Sequence, residues 1–337
     1  MKITDRIKQK TGALTAPRPK GMTDIIEGMP ARLPSGLILS RGLKVHSAFP
    51  AGRVIVLKTE TPVEVIACYS KRMNLGNMDG MATSAVDVYR KEESGFRYIS
   101  SIFPDEDNRM YAEAEIPEGG ELHFLLPSYA SLAHLYVSGG TVISPEKGRK
   151  MVCYGSSITQ GCAASRPGRS YVNMLYLAGF NTVNYGFSES ARGEPAIIKH
   201  IAKEHADIYV MEYDHNSPVE ELEARHLSTY RILRSESPES LIIYLSRISG
   251  GISVSREEAA KRVSIIRATV EQALESGDRH IAFLDGTIED PAPLLKDDRH
   301  PNDIGMELFK RRITDCVDQN DKETGARQGQ GRDKNRQ

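Results

Sequence analysis

The chain has 337 residues, of which 39% are hydrophobic and 26% charged, a composition typical of globular proteins that excludes a fibrous or wholly disordered chain. The 44 Lys and Arg residues balance the 45 Asp and Glu residues, so the chain lacks the basic excess of proteins that bind nucleic acids or anionic membranes. The length favours two domains or one large domain, and no run of about 18 apolar residues predicts a membrane span.

The first 31 residues are predicted to form an N-terminal extension. Residues 1–17 are polar and lack the apolar stretch of about 7 to 15 residues that a secretory signal contains, which favours a cytoplasmic location. The four cysteines form neither a CxxC pair nor a zinc-finger spacing, and we expect them to be reduced thiols. They are Cys68, Cys153, Cys162 and Cys316.

Residues 32–144 are predicted to form an antiparallel β-sandwich. Their apolar segments are short, rich in Val, Ile and Tyr, and bounded by Gly, Pro, Asn and Asp, which is typical of strands in such a domain. A polar segment with Pro and Gly, residues 145–150, is predicted to be a linker. Examples of the predicted strands are Arg53–Leu57, Val63–Cys68, Ala85–Tyr89, Leu122–Leu126 and Leu135–Val137.

Residues 151–317 show short apolar strands that alternate with longer helical periodicity. This pattern predicts right-handed crossovers and a parallel sheet covered by helices on both faces. The predicted strands are Met151–Tyr154, Asn181–Tyr185, Ile208–Tyr213, Leu241–Leu245 and Ile281–Leu284. The predicted helices are Tyr171–Ala178, Pro195–Glu204, Val219–Ser235, Ser255–Ser276 and Asp303–Val317.

Two local patterns concern the end of this domain. Ser255 and Glu258 have the spacing of a capping box, in which the serine satisfies an orphan amide of the following helix. Residues 318–337 are almost free of apolar side chains, so burial cannot offset the entropy of ordering them and a disordered tail is predicted.

Polar residues follow four of the predicted parallel strands, where ligands bind in open sheets of this kind. The segments are Gly155–Gly161, Asn184–Ser188, Tyr213–Asn216 and Asp297–Pro301. No GxGxxG or GxxxxGK[ST] motif is present, so a phosphate-binding loop is not supported.

These segments supply the parts of a serine nucleophile site. Ser157 follows a strand at a turn into a helix, where backbone amides and the helix field favour negative charge. His300 could act as its base, and Asp297, three residues earlier, could accept the imidazole Nδ1 proton. The backbone amides of Ser157 and Gly186 and the side-chain amide of Asn216 could form an oxyanion hole.

With these residues in this order, the chain resembles the SGNH or GDSL hydrolases, which are named for Ser, Gly, Asn and His in four ordered blocks. Ser157, Gly186, Asn216 and His300 fall in those blocks in the right order. The chain further resembles the two-domain subgroup whose N-terminal β-sandwich carries a GxDLY-like motif, here residues 85–89. Similar proteins also share the segments that correspond here to residues 155–161, 162–168 and 297–301.

The resemblance implies a flavodoxin-like three-layer α/β/α hydrolase domain preceded by a jelly-roll-like antiparallel sandwich. It implies a serine nucleophile that acts on small acyl groups, often acetyl groups on sugars, with no metal or organic cofactor. The partner is then a small-molecule ester, an acetylated sugar being one candidate, and the oligomeric state stays open. Three departures concern the substrate: Tyr213 replaces a glycine of the third block and could narrow the pocket near Asn216, and the charged Glu189 and Arg192 could line the acyl or alcohol site.

Each site residue also has a structural explanation. Ser157 could cap a helix, Asn216 could close an Asx turn, and Gly186 could relieve a crowded strand end. His300 could be a turn residue, and Asp297 and Asp298 could be solvated loop charges. A metal site at Asp214 and His215 with His300 has no further ligand at recognisable spacing. In the GxDLY-like motif, Asp87 and Tyr89 could reach the active-site rim, but a structural role is favoured, with the buried tyrosine hydroxyl paired to the carboxylate.

Three functions are compatible with this pattern. The first is a serine esterase, and the second is an acyltransferase that hands the acyl group to an alcohol other than water. Fold and triad do not separate these two, because the difference lies in acceptor binding and water exclusion. The third is a non-catalytic carbohydrate-binding protein, which would not need the complete set of Ser157, Asn216, Asp297 and His300.

Overall fold

The computed structural model describes residues 18–145, 148–249 and 254–334, with side chains described as far as Thr324. The prediction that no secretory signal is present concerns residues 1–17, which lie outside the described residues. No helix in the described part of the chain is long and apolar enough to cross a membrane.

The N-terminal region consists of two antiparallel sheets, as predicted. One has the strand order β1-β8-β3-β6 and the other β5-β4-β7-β2-β9. Apolar side chains from both sheets, among them Val65, Val88 and Phe124, form one buried cluster between them. The strands are β1 (Thr23–Asp24), β2 (Val54–Thr59), β3 (Val63–Arg72), β4 (Val86–Glu92), β5 (Gly95–Ile102), β6 (Tyr111–Ile116), β7 (Gly120–Leu125), β8 (Ala130–Val137) and β9 (Thr141–Ile143).

Two short helices lie between these strands and were not predicted. The helix Arg41–Ser47 is capped by Ser40, whose hydroxyl accepts from the Leu43 N–H. The helix Gly80–Ser84 is capped by Asp79 in the same way. Both are too short to show a helical repeat of apolar residues, so only their caps could have indicated them.

The C-terminal region is a parallel sheet with the strand order β11-β10-β12-β13-β14. This is the flavodoxin-like order, and the sheet is doubly wound as predicted. Alternate residues of β10 enter two separate cores, Val152 and Tyr154 on one face and Met151 and Cys153 on the other. The strands are β10 (Lys150–Gly155), β11 (Asn181–Gly186), β12 (Ile208–Glu212), β13 (Leu241–Leu245) and β14 (Ile281–Leu284). The helices are Ser157–Gln160, Tyr171–Leu177, Pro195–Ala202, Val219–Glu236, Arg256–Glu275 and Asp303–Lys334.

Two helix ends differ from the predictions. Ser255 accepts from the Glu258 N–H at 3.1 Å, but the Glu258 carboxylate pairs with Arg262 instead of completing the capping box. The last helix continues through residues 318–334, where the sequence predicts disorder. An ion pair of 2.7 Å between Arg149 and Asp321 contributes to holding its first added turns against the domain.

The GxDLY-like motif joins the two regions. Asp87 is fully buried and accepts from the Gly168 N–H at 2.7 Å and from Arg166 Nη1 at 2.8 Å. Arg166 also donates to the Tyr89 hydroxyl at 2.6 Å. Gly168 must be a glycine here, because a Cβ would lie 2.3 Å from that hydroxyl oxygen. Asp87 and Tyr89 therefore have a structural role, although the tyrosine contacts Arg166 rather than the carboxylate.

Candidate active site

Three side chains from two distant segments of the α/β domain form one hydrogen-bonded chain. Ser157 Oγ lies 2.9 Å from His300 Nε2, and His300 Nδ1 lies 2.8 Å from Asp297 Oδ2. Because an ionised carboxylate only accepts, the proton of neutral His300 sits on Nδ1, and Nε2 is left to accept the Ser157 hydroxyl proton. This arrangement suits a serine nucleophile with its base and an orienting carboxylate.

Ser157 stands at the turn between β10 and the short helix Ser157–Gln160. Ser156 is the capping residue, since its hydroxyl accepts from the Ile158 N–H at 3.1 Å. The turn packs closely against the end of β11, where a Cβ on Gly186 would lie 2.2 Å from the backbone nitrogen of Gln160. Capping is thus done by Ser156, and the Ser157 hydroxyl is left to contact His300.

A buried carboxylate, which sequence reasoning missed, anchors this turn from below. Glu212 ends β12 and is fully buried. It accepts from the Ser156 hydroxyl at 2.8 Å, the Ser156 N–H at 3.1 Å, the Thr159 hydroxyl at 2.8 Å and the Thr159 N–H at 3.3 Å. Burial, together with the charge of nearby Asp214, raises the pKa of Glu212 to about 7. A lone acidic residue in an apolar strand was its only signal in the sequence.

The loop before the last helix holds the triad carboxylate. Asp297 Oδ1 accepts from the backbone N–H groups of Arg299 at 2.9 Å and of His300 at 2.8 Å. Burial alone would raise the pKa of Asp297, but these hydrogen bonds and the one from the His300 ring lower it to about 2. The neighbouring Asp298 instead contacts Arg299 Nε at 3.1 Å. Asp297 is therefore the carboxylate that contacts His300.

The predicted oxyanion donors differ in their availability. Ser157 is the first residue of its helix, where N–H groups have no intrahelical acceptor. Asn216 lines the same cavity as Ser157, and its side-chain nitrogen has one long contact, 3.5 Å to the Phe187 carbonyl. The Gly186 N–H, in contrast, donates to Asn184 Oδ1 at 2.7 Å. Gly186 thus serves close packing, and its amide is occupied within the fold.

The loop after Gly186 offers a different amide. Glu189 lines the cavity and has φ +57°, in the left-handed region that side-chain-bearing residues rarely adopt. Its N–H makes no hydrogen bond among the described residues, whereas the N–H of the preceding Ser188 donates to Gln160 Oε1 at 2.9 Å. Such backbone strain is common at functional sites.

The triad opens into a cavity of about 490 Å³. Both regions of the chain line it, and most of the lining side chains are polar. Glu189 and Arg192 are among them, and both are exposed. The lining residues are Leu75, Asn77, Tyr129, Ser156, Ser157, Ile158, Cys162, Ser188, Glu189, Arg192, His215, Asn216, Arg247, Arg299 and His300.

Tyr213 does not line this cavity, contrary to the expectation that it narrows the substrate site. It is 2% exposed, and its ring packs 5.5 Å from that of Tyr154 and 5.9 Å from that of His226. Successive residues at the end of β12 point to opposite faces of the sheet. Glu212 points toward the nucleophile turn, and Tyr213 consequently enters the opposite core.

Asp214 and His215 have structural contacts. Asp214 Oδ2 accepts from the Ser246 hydroxyl at 2.6 Å and lies 3.3 Å from His215 Nε2. Burial lowers the pKa of His215 to about 4, so this ring is neutral near pH 7. Across residues 18–145, 148–249 and 254–324, no three His, Cys, Asp or Glu side chains are grouped so that they could hold a metal ion.

Comparison with known proteins matches the model of the GDSL-like lipase/acylhydrolase family to residues 148–317, half of the 337-residue chain. No curated protein sequence matches the chain.

Several solved structures have a similar fold. A candidate GDSL-like lipase from Bacteroides ovatus has a TM-score of 0.73 at 24% identity, covering 84% of this chain and 89% of that one. The salicylyl-acyltransferase SsfX3 of a tetracycline biosynthetic pathway has a TM-score of 0.69 at 18% identity, covering 88% and 89%. A family two carbohydrate esterase from Clostridium thermocellum, in complex with cellohexaose, has a TM-score of 0.55 at 13% identity, covering 78% and 90%.

Proposed function

The chain belongs to the GDSL-like lipase/acylhydrolase family, and from that premise we propose that it is a serine esterase that removes small acyl groups, above all acetyl groups, from carbohydrate-like alcohols. The observation that carries the proposal is the continuous contact from Ser157 Oγ through His300 to Asp297, with distances of 2.9 and 2.8 Å. A pure binding protein does not need a hydroxyl placed against a base in this way.

The reaction has two halves. Ser157 Oγ attacks the ester carbonyl carbon while His300 Nε2 takes the hydroxyl proton, and the resulting tetrahedral oxyanion collapses as the alcohol leaves with that proton. Water then attacks the acyl-enzyme, His300 takes a proton from it, and the acid is released as Ser157 regains its proton. Asp297 keeps its charge throughout and stabilises the imidazolium, consistent with its pKa of about 2.

The proposed oxyanion donors are the Ser157 N–H, the Asn216 side-chain amide and the Glu189 N–H. Each such donor contributes about 3 to 4 kcal/mol to the transition state in enzymes of this kind. Glu189 replaces Gly186 in this role because the Gly186 amide is occupied by Asn184.

The size and lining of the cavity indicate the substrate class. About 490 Å³ with a polar lining suits a small acyl group on a hydroxyl-rich alcohol better than a long apolar chain. The exposed carboxylate of Glu189 and guanidinium of Arg192 are proposed to bind hydroxyl groups of the alcohol. The fold shared with a family two carbohydrate esterase is compatible with this choice.

The test is hydrolysis of p-nitrophenyl acetate and of acetylated mono- and oligosaccharides by the full chain. We expect Ser157→Ala to abolish turnover and labelling by a fluorophosphonate, while Ser228→Ala, at an exposed helical serine, keeps both. Undiminished turnover in Ser157→Ala would refute the assignment. Mass spectrometry with competing alcohols distinguishes the acyltransferase, which forms a new ester, and a carbohydrate-binding protein would not label at all.

A further inference from the structure

One residue of the N-terminal β region reaches the triad. Asn77 Nδ2 donates to Asp297 Oδ2 at 2.8 Å. The same nitrogen lies 3.3 Å from His300 Nδ1 and 3.5 Å from Cys162 Sγ. Asn77 follows β3 in the chain and is separated from Asp297 by 220 residues, so this contact depends on the docking of the two regions.

The loop that carries Asn77 is fixed on both sides. Before it, the Met73 N–H donates to the Tyr129 carbonyl at 3.1 Å. After it, the Met78 N–H donates to the Leu75 carbonyl at 3.1 Å. The Met78 side chain is 7% exposed and packs in one apolar cluster with Tyr129 and with Cys162 of the hydrolase region. The Asn77 amide is therefore held at Asp297 by backbone contacts and packing, and not by the carboxylate alone.

The chemistry of the neighbours fixes which end of the amide faces the triad. Asp297 is ionised, with a pKa of about 2, so it requires a donor. His300 Nδ1 must carry its proton to donate to the same oxygen. The 3.3 Å separation between Asn77 Nδ2 and His300 Nδ1 is consequently a contact between two donors that share one acceptor.

Asp297 is held at both oxygens through these contacts. Oδ1 accepts from two backbone N–H groups, whereas Oδ2 accepts from His300 and Asn77. Asn77 thus donates to this carboxylate from outside the loop that carries Asp297. We infer that Asn77 is a positioning residue of the triad, through which the N-terminal region orients Asp297 and, through it, the His300 ring. The inference rests on the proposed function, because that function gives the three groups their roles.

The experiment compares kcat, KM and the pH profile of wild type and Asn77→Ala on p-nitrophenyl acetate. We expect kcat to fall about tenfold and KM to stay within about twofold, because the defect is in the alignment of the base. The acid limb of the kcat profile should move to higher pH, because the Asp297 carboxylate then stabilises the His300 imidazolium without also accepting a hydrogen bond from the Asn77 amide. Asn77→Asp, of equal size, places a second carboxylate at Asp297 and should lower kcat about a hundredfold.

The matched control is Asn74→Ala, at an exposed asparagine of the same loop. It should keep wild-type kcat and pH profile. Three titratable or charged groups act on Asp297 and His300 from nearby, namely Cys162, Asp298 and Arg299. None of them is substituted in the three variants, so a shift of the acid limb reports on Asn77.

A second readout does not need turnover. The Nδ1 proton of His300 should give a downfield resonance in the proton NMR spectrum, assigned by its loss in His300→Gln. Asn77→Ala should shift this resonance and Asn74→Ala should not. A shifted resonance in a protein without esterase activity would support the role of Asn77 and refute the proposed function. An unchanged resonance, or a rise in KM at wild-type kcat, would overturn the positioning role.

Discussion

The buried carboxylate beneath the nucleophile gives a quantitative prediction about stability. Glu212 has a pKa of about 7 in the folded protein, against an ordinary value of 4.5, because burial disfavours its charged form. A carboxyl group whose pKa is raised by folding contributes stability that is complete below the unfolded value and is lost as the pH rises through the folded value. We therefore expect Glu212 to destabilise the folded state progressively between about pH 4.5 and pH 7.

The size of the effect follows from the two pKa values. A difference of one pKa unit corresponds to about 1.4 kcal/mol, so the shift from 4.5 to about 7 amounts to roughly 3 kcal/mol at high pH. Of this, about 2.5 kcal/mol falls between pH 5 and pH 8. Glu212 is fully buried, so screening by solvent does not reduce this value in the way it does at a surface site.

Glu212→Gln isolates this contribution. A glutamine oxygen can accept from the Ser156 and Thr159 N–H groups that now contact Oε2, and its amide group can face the Ser156 hydroxyl, which both donates and accepts. The variant keeps the packing and loses the titration. The assay is urea unfolding of wild type and variant at pH 5 and at pH 8. The quantity compared is the change in the free energy of unfolding between the two pH values, variant against wild type.

We expect the stability of Glu212→Gln relative to wild type to rise by roughly 2 to 3 kcal/mol from pH 5 to pH 8. Burial lowers the pKa values of His46, His215 and His226 to about 4. These three groups act in the opposite direction, but they are present in both proteins and cancel. An identical pH dependence in both proteins would refute the reasoning. It would show that Glu212 does not titrate in this range.

Two further predictions concern the contacts that hold the site together. Asp87→Asn should lower the free energy of unfolding by about 3 kcal/mol, because it breaks a buried ion pair with Arg166. The control Asp105→Asn, at the exposed pair with Arg109, should lower it by less than about 1 kcal/mol. Equal effects of the two variants in urea unfolding would contradict the structural role of the motif. Gly186→Ala should lower the free energy of unfolding by roughly 1 to 3 kcal/mol and reduce esterase activity, because its Cβ would lie 2.2 Å from the Gln160 backbone. The control Gly36→Ala, whose Cβ would have no atom within 4 Å, should change neither quantity. Wild-type activity in Gly186→Ala would show that the nucleophile helix does not depend on this close approach.

The five N-terminal strands that the sequence marks most clearly are all interior strands of the two sheets, namely β2, β3, β4, β7 and β8. The other four strands, β1, β5, β6 and β9, are the edges of the two sheets. An edge strand pairs on one side only, and residues such as Arg97 and Tyr98 of β5 are exposed, which weakens the apolar alternation. In the parallel sheet every strand was predicted, because helices cover both faces and strands such as β13 and β14 are continuous apolar runs.

The candidate site shows a similar division. The three residues of the hydrogen-bonded chain could be predicted from topology. Ser157 directly follows a parallel strand, and Asp297 and His300 lie in one short segment downstream of another. The ends of such strands meet at one edge of the sheet, where topology alone brings side chains together. Gly186 was assigned to the oxyanion hole on the same ground, yet its amide is occupied by Asn184, a contact that strand order does not reveal. Glu212 and Asn77 act through side-chain contacts between separate elements, and a single sequence carries no signal for them beyond their residue types.

The contacts between the two regions bear on what the N-terminal region contributes. The family match covers residues 148–317, which include Ser157, Asn216, Asp297 and His300 but exclude Asn77, and also Leu75 and Tyr129 of the cavity wall. If the N-terminal region only supported the hydrolase region mechanically, that role would account for the buried contact of Asp87 with Gly168. It would not account for a side-chain amide placed 2.8 Å from the triad carboxylate by a loop that is itself packed against Cys162. Since the carboxylate of a triad holds the imidazole in its orientation and tautomer, the N-terminal region is expected to affect the rate of the chemical step as well as the shape of the cavity.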